Sequence, residues 1–289
     1  MKRYEYYFPD YVFSSHFPKG QARKIQSMKT QDSIKKAADL LIKARFENKL
    51  ISLPNELRPI SIEEGYQIQD AIIEEIGVQQ CGWKVAITND ELMLKAHVNE
   101  PISGPLFEKW ISPTPNIIKH GLPSLVGFEF EFAFTMGKDL CDKGVDYTPE
   151  EVKNAVATLH PAIEIIGARY NDFPKGLGVQ DIIADHCNNY SFVYGKAVPE
   201  WEKLNLADCE VVALFDNREI NRNTGANVLG TPLNSLTWLV NHLINRGHHV
   251  KAGDWITTGA AIGPLPKSPS VKVTADFGDL GEVFVEYEN

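Results

Sequence analysis

Apolar residues recur along this chain at two different periods, and the change falls just after Cys81. From Asp32 to Lys49 the spacing of Ile34, Ala37, Ala38 and Leu41, with lysines on the opposite side, predicts an amphipathic helix. A second helix is predicted from Ile62 to Ile76. Ser61 and Glu64 stand at capping-box spacing before it, and Gly77 marks its end. Together they form a predicted helical cap over residues 29–79. Beyond Cys81 the pattern shortens into strand-like runs: Trp83–Ile87, Gly127–Met136, Ile163–Ile166, Tyr190–Val193, Glu210–Phe215, Trp255–Thr258, Val271–Ala275 and Val283–Tyr287. Two helices interrupt them. One runs from Pro149 to about Thr158. The other, Leu233 to Asn245, carries a stripe of Leu233, Leu236, Val240 and Leu243 and stops at Gly247. Strands and helices do not alternate strictly, so residues 80–289 are expected to form one strand-rich mixed α+β core and not a doubly wound parallel sheet. Residues 1–28, rich in aromatic and basic side chains, stand apart as an N-terminal extension. It reads either as an arm packing on a neighbour or as a stretch upstream of a functional start at Met28. The onset of helical patterning after Met28 favours the second.

Composition narrows the functional classes. The 289 residues are 43% hydrophobic and 23% charged, enough for a sizeable core, and the formal net charge is -9. That balance argues against a nucleic-acid partner, which requires clustered Lys and Arg. No apolar run approaches the roughly 18 residues of a membrane span, and the N-terminus has no signal-peptide pattern, so a cytoplasmic protein is expected. Cys81, Cys141, Cys187 and Cys209 form no CxxC pair, which predicts free thiols and neither a thiolate zinc site nor a disulfide framework.

The strongest local signal is Gly127-Phe128-Glu129-Phe130-Glu131-Phe132-Ala133-Phe134. On a strand the four phenylalanines share one face and the two glutamates the other. From spacing alone, an acidic solvated face is the commoner outcome for such a pair. Glu164 changes the balance, because it sits in the apolar run Pro161-Ala162-Ile163-Glu164-Ile165-Ile166, where a carboxylate needs a partner, either a base such as Arg169 or a cation. Three carboxylates can hold a hard divalent ion, and oxygen ligands favour Mg²⁺ or Mn²⁺ over zinc. Other chemistries lack support: there is no Gly-x-Ser-x-Gly elbow, P-loop or Gly-x-Gly-x-x-Gly fingerprint. His248 and His249 are adjacent and so face opposite ways on a strand, and His160 and His186 have no ligand-spaced partner.

Several short motifs occur in order: Gly82-Trp83-Lys84, Glu100-Pro101-Ile102-Ser103-Gly104, Glu129-Phe130-Glu131, Pro161-Ala162-Ile163-Glu164-Ile165, Asp181-Ile182-Ile183-Ala184-Asp185, Leu229 to Asn234 and Ala252 to Ala260. In this order and spacing the chain resembles the hydratase/decarboxylase branch of the fumarylacetoacetate hydrolase superfamily, from about Ile34 to the C-terminus. The resemblance implies a β-roll, barrel-like core beneath the cap and a homo-oligomer. It implies Mg²⁺ or Mn²⁺ on Glu129, Glu131 and Glu164, and catalysis on a small unsaturated 2-oxo acid. The reactions it implies are hydration of 2-hydroxypenta-2,4-dienoate (2-oxopent-4-enoate) to 4-hydroxy-2-oxopentanoate or, alternatively, decarboxylation of a 4-oxalocrotonate type of diacid. Acylpyruvate hydrolysis and an inactive metal-binding relative rank behind these. Lys84 matches the family's active-site lysine, and an inward-facing lysine there is expected to have a lowered pKa. Thr257, Thr258 and Gly259 match a turn that binds the substrate's carboxylate end. Arg169 and Asp185 either line the site or form a structural ion pair. The chain departs from the family pattern at Ile102, where hydratases carry an acid, at Gly167-Ala168-Arg169 in place of Asp-Ser-Arg, and at Asp279 in place of Gly.

Overall fold

A computed structural model describes residues 29–119, 121–267 and 272–288. The predicted N-terminal extension, residues 1–28, and the predicted strand start at Val271 lie outside the described residues. The elements run α1 (Gln31–Glu47), α2 (Ile62–Glu75), β1 (Gln80–Ala86), α3 (Asp90–Ala96), β2 (Ile102–Phe107), β3 (Ile111–Pro113), β4 (Asn116–Ile118), β5 (Leu125–Met136), α4 (Pro149–Lys153), β6 (Val156–Gly167), α5 (Val179–Ala184), β7 (Asn189–Tyr194), β8 (Glu210–Phe215), β9 (Arg218–Thr224), α6 (Pro232–Asn245), β10 (Trp255–Pro266), β11 (Lys272–Asp276) and β12 (Glu282–Tyr287). Strand-rich α+β architecture follows, as the patterning predicts.

The strands form two sheets. One has seven strands in the order β2-β1-β10-β5-β6-β7-β3, the other five in the order β4-β12-β11-β8-β9. The phenylalanine face of β5 fills the space between them. Phe128 meets Phe215 and Tyr287, Phe132 meets Phe277, and Phe134 meets Trp201, all edge to face. Period-two alternation then obliges Glu129 and Glu131 to project from the opposite face of the seven-stranded sheet. That face is concave. Three strand spacings of about 4.8 Å would hold β1 and β6 roughly 14 Å apart in a flat sheet, yet Lys84 of β1 and Glu164 of β6 touch at 2.8 Å.

The helices roof this concave face. Ile34, Ala37, Ala38 and Leu41 of α1 and Ile68 and Ile72 of α2 are buried together with Phe107, Tyr170 and Ala184. Thr30 caps α1 by accepting from the Ser33 N–H, and Asn48 ends it in a left-handed conformation at φ 49°. The predicted capping box on α2 is half present. Ser61 Oγ accepts from the Glu64 N–H, but the Glu64 carboxylate accepts from the N–H groups of Lys29 and Ile60. The helix predicted to reach Thr158 stops at Lys153, because the chain enters β6 at Val156 and pairs with Met136. Two helices escape the periodicity reading, α3 and α5, each of seven residues or fewer. The four cysteines are free. Among the described residues no helix is long and apolar enough to cross a membrane.

Candidate metal and substrate site

Antiparallel pairing of β5 with β6 sets Glu129 directly opposite Glu164, with Glu131 one step along the same face. One carboxylate oxygen from each of the three lies within 4.8 Å of the others. Glu131 and Glu164 are fully buried, and Glu129 is half-buried and lines a cavity. Such a cluster is electrostatically unfavourable unless protons or cations compensate it. Glu164 has two partners: Lys84 Nζ at 2.8 Å and the Asn189 side-chain amide, which donates to it at 2.9 Å. Glu131 accepts from the Gly259 N–H at 2.8 Å, while its other oxygen, Oε1, is buried with no hydrogen-bond partner.

The titration behaviour follows from this crowding. Burial, reinforced by Glu164 and opposed by Lys84, pushes the Glu129 carboxyl up to about 7. Burial and the two neighbouring carboxylates push Glu131 well above the usual range, with Thr257 pulling slightly the other way. For Lys84, burial lowers the pKa, but Glu164, Glu129 and Glu131 outweigh it and hold the ammonium above its ordinary value. The expected lowering of Lys84 is therefore reversed, because the lysine is buried among carboxylates and not among apolar groups alone. An all-oxygen donor set, an orphaned buried oxygen and three mutually repelling carboxylates fit a hard divalent cation.

The other predicted residues are drawn into the same region but not all onto its surface. Thr257 is fully buried on β10, paired with Lys84 on one side and Ala133 on the other. The Thr258 hydroxyl donates to the Phe132 carbonyl at 2.9 Å, and its own carbonyl accepts from Ser235, so it ties β10 to β5 and α6. At Gly259, φ is +93° and a Cβ would stand 2.4 Å from the Thr88 side chain, so glycine is required there. Arg169 and Asp185 pair with each other. Arg169 also donates to the carbonyls of Asp185 and Asn189, and its backbone N–H to the Asp185 carboxylate. Both are buried and brace the turn at residues 185–189 from behind, so Lys84 and not Arg169 is the base that meets Glu164.

That turn is a part of the site that sequence reasoning missed. His186, Cys187 and Asn188 have φ of 54°, 51° and 60°, three consecutive left-handed residues none of which is glycine. The conformation presents the Cys187 carbonyl to Lys84 Nζ at 3.0 Å and delivers Asn189 to Glu164. No local motif announces it, since neither asparagine nor histidine is distinctive without the fold. The cavity above the triad has Lys84 and Glu129 at its floor and an apolar wall including Ile87, Leu92, Ile102, Ile182 and Pro264. Ile102, at the position where an acid is usual, is 2% exposed and packs with Ile182, Ile183 and Cys187. Of the other histidines considered from the sequence, His248 pairs with Asp70, and His160 bonds to Thr158 and the Gly195 carbonyl.

A curled sheet roofed by helices, with a carboxylate triad and a buried lysine on its concave face, makes an α+β core whose acidic cluster fits a divalent cation. No protein-family profile matches the chain. A 4-oxalocrotonate decarboxylase from a Pseudomonas species is 31% identical over 230 residues, covering 78% of this chain and 86% of that one. A 2-keto-4-pentenoate hydratase from Paraburkholderia xenovorans is 26% identical over 265 residues, covering 90% and 97%. Among solved structures, 4-oxalocrotonate decarboxylase from Pseudomonas putida G7, complexed with magnesium and adipate, has a TM-score of 0.82 at 24% identity, covering 90% of this chain and 99% of that one. Fumarylpyruvate hydrolase from Pseudomonas aeruginosa, in complex with Mn²⁺ and pyruvate, has a TM-score of 0.53 at 13% identity, covering 73% and 89%. The chain belongs to the family of 2-keto-4-pentenoate hydratases and 4-oxalocrotonate decarboxylases, and its fold is that of the fumarylacetoacetate hydrolases.

Proposed function

We propose that this protein is a divalent-metal-dependent lyase whose reaction is hydration of 2-hydroxypenta-2,4-dienoate to 4-hydroxy-2-oxopentanoate. The observation that carries the reading is the triad of Glu129, Glu131 and Glu164 beside Lys84, with Glu129 and Lys84 lining an apolar cavity. These three carboxylates would hold Mg²⁺ or Mn²⁺. Bound there, the ion supplies Lewis acidity toward the 2-oxo oxygen and the dienolate. Lys84 is the one buried ammonium at the cavity floor, and the carboxylates keep it protonated. Once a bound cation takes up the charge of those carboxylates, the Lys84 pKa would fall and the ammonium would be placed to donate the proton that C5 gains before water adds at C4. Thr257 and Gly259 border the substrate's carboxylate end in this reading, while Thr258, Arg169 and Asp185 hold the surrounding backbone. The apolar wall suits an uncharged C3–C5 tail.

A second reading, loss of CO₂ from a 4-oxalocrotonate-type diacid, is favoured by Ile102. An apolar residue there removes an acid from the wall and desolvates a distal carboxylate that leaves as neutral gas. Purified protein offered both substrates, with Mg²⁺, with Mn²⁺ and with chelator, separates the two. Metal-dependent loss of dienol absorbance without CO₂ establishes the hydratase. CO₂ release from the diacid alone establishes the decarboxylase, and silence on both rejects the proposal.

A further inference from the structure

Outside the triad, the most heavily bonded buried cation that the reaction leaves unused is Arg45, in the last turn of α1. It is 8% exposed. Its guanidinium carbon sits over the Trp110 ring, 3.9 Å from the centroid. Nη1 donates to the Asn189 carbonyl at 2.6 Å. Nη2 donates to the Asn189 side-chain oxygen at 3.4 Å and to the Tyr190 carbonyl at 3.1 Å. The other end of the Asn189 amide donates to Glu164 at 2.9 Å. The amide is thus held at both ends by groups of opposite kind. Turned over, it would set its NH₂ against guanidinium donors and its oxygen against a carboxylate, so one orientation is enforced.

We infer that Arg45 is a positioning residue for the metal centre: through Asn189 it orients the Glu164 carboxylate, so the cap helix α1 sets the affinity of the triad for a divalent cation. This rests on the metal reading above. Arg45 contacts none of the triad carboxylates and does not line the cavity. It also bonds the Asn189 and Tyr190 carbonyls and faces His186 Nδ1 at 3.5 Å, but the Asn189 amide is its bonded link to a triad carboxylate. Outer groups that orient a ligand typically alter metal affinity by about 10- to 100-fold. The sign is informative. Removing a positive charge close to Glu164 would, by Coulomb's law alone, strengthen cation binding. Loss of orientation weakens it.

The test is direct Mn²⁺ titration of the substrate-free protein, by calorimetry and by the electron paramagnetic resonance signal of free Mn²⁺. Wild type, Arg45→Met, Arg45→Lys, Asn189→Ala and the double variants would be compared, with folding of each checked by thermal unfolding in chelator. Arg45→Lys keeps the charge but loses the fork, and it serves if Arg45→Met does not fold. The expected result is at least a tenfold rise in Kd for either Arg45 variant, and no further rise when that change is added to Asn189→Ala. An unchanged or lower Kd for both Arg45 variants overturns the inference. So does an Arg45 effect that persists in full in the Asn189→Ala background. Failure of the wild type to bind Mn²⁺ would overturn the metal reading itself.

Discussion

The pH dependence of stability offers a test of the triad that needs no substrate. The perturbation is Glu129→Gln, measured in chelator between pH 4.5 and 8. Glu129 is raised from 4.5 to about 7 in the folded protein. Over that interval the folded state therefore binds more protons than the unfolded chain, so stability must fall as pH rises. At about 1.4 kcal/mol per tenfold change in proton affinity the full effect is about 3 kcal/mol. Glu129 is only half-buried, so solvent screening reduces this to about 1–3 kcal/mol. For a chain of this size that is roughly 2–6 °C in Tm. Burial lowers the pKa of His186, His160 and His242, the last to about 4, and these groups act in the opposite direction over a similar range. Both proteins share them, so they cancel in the difference. The expected result is a wild type that loses stability relative to Glu129→Gln as pH rises through 4.5–7. Saturating Mg²⁺ or Mn²⁺ should reverse the order at pH 8, since at 100 times Kd a ligand adds about 2.7 kcal/mol to the protein that binds it. Coincident pH profiles in chelator would refute the picture of a Glu129 carboxyl held up by its crowded, buried setting.

Other substitutions probe individual contacts. Glu131→Gln retains an acceptor for the Gly259 N–H, so the fold should survive while Mn²⁺ binding and turnover are lost, as calorimetry and a dienol absorbance assay would show. Lys84→Met leaves Glu164 buried without its ammonium and should cost about 3–5 kcal/mol in chelator by denaturant unfolding, with much of the loss recovered in metal. Gly259→Ala combines a φ of +93° with a 2.4 Å contact on Thr88 and should cost at least about 2 kcal/mol; an unchanged Tm would contradict the required backbone approach.

Much of the site was legible before any coordinates. The phenylalanine and glutamate alternation of β5 fixes which face is core and which is polar, and a lone carboxylate in the apolar run of β6 demands compensation. The family resemblance supplies Lys84 and the Thr257–Gly259 turn. What could not be read is everything that depends on curvature. Nothing local shows that Lys84 reaches past two strands to Glu164, so the direction of its pKa shift is not legible in the sequence. The all-buried strand β2 and the short helices α3 and α5 are too short for a periodic signal. Arg45 and Asn189 become partners only when the cap closes on the sheet. The three left-handed residues at 186–188 carry no glycine to betray them.

The place of β10 in the large sheet has a consequence for how this chain is made. β1 pairs with β2 and β10, and β5 pairs with β6 and β10. β10 alone joins the two halves of the sheet, and it lies at Trp255–Pro266, close to the end of the sequence. On the ribosome, two partial sheets with open edges must therefore wait until β10, which follows β1 to β9 in the chain, has been translated. Lys84 and the triad emerge early but cannot meet until β10 slots between them. The nascent chain is expected to carry exposed strand edges until β10 emerges, and Glu164 to gain its ammonium partner only then.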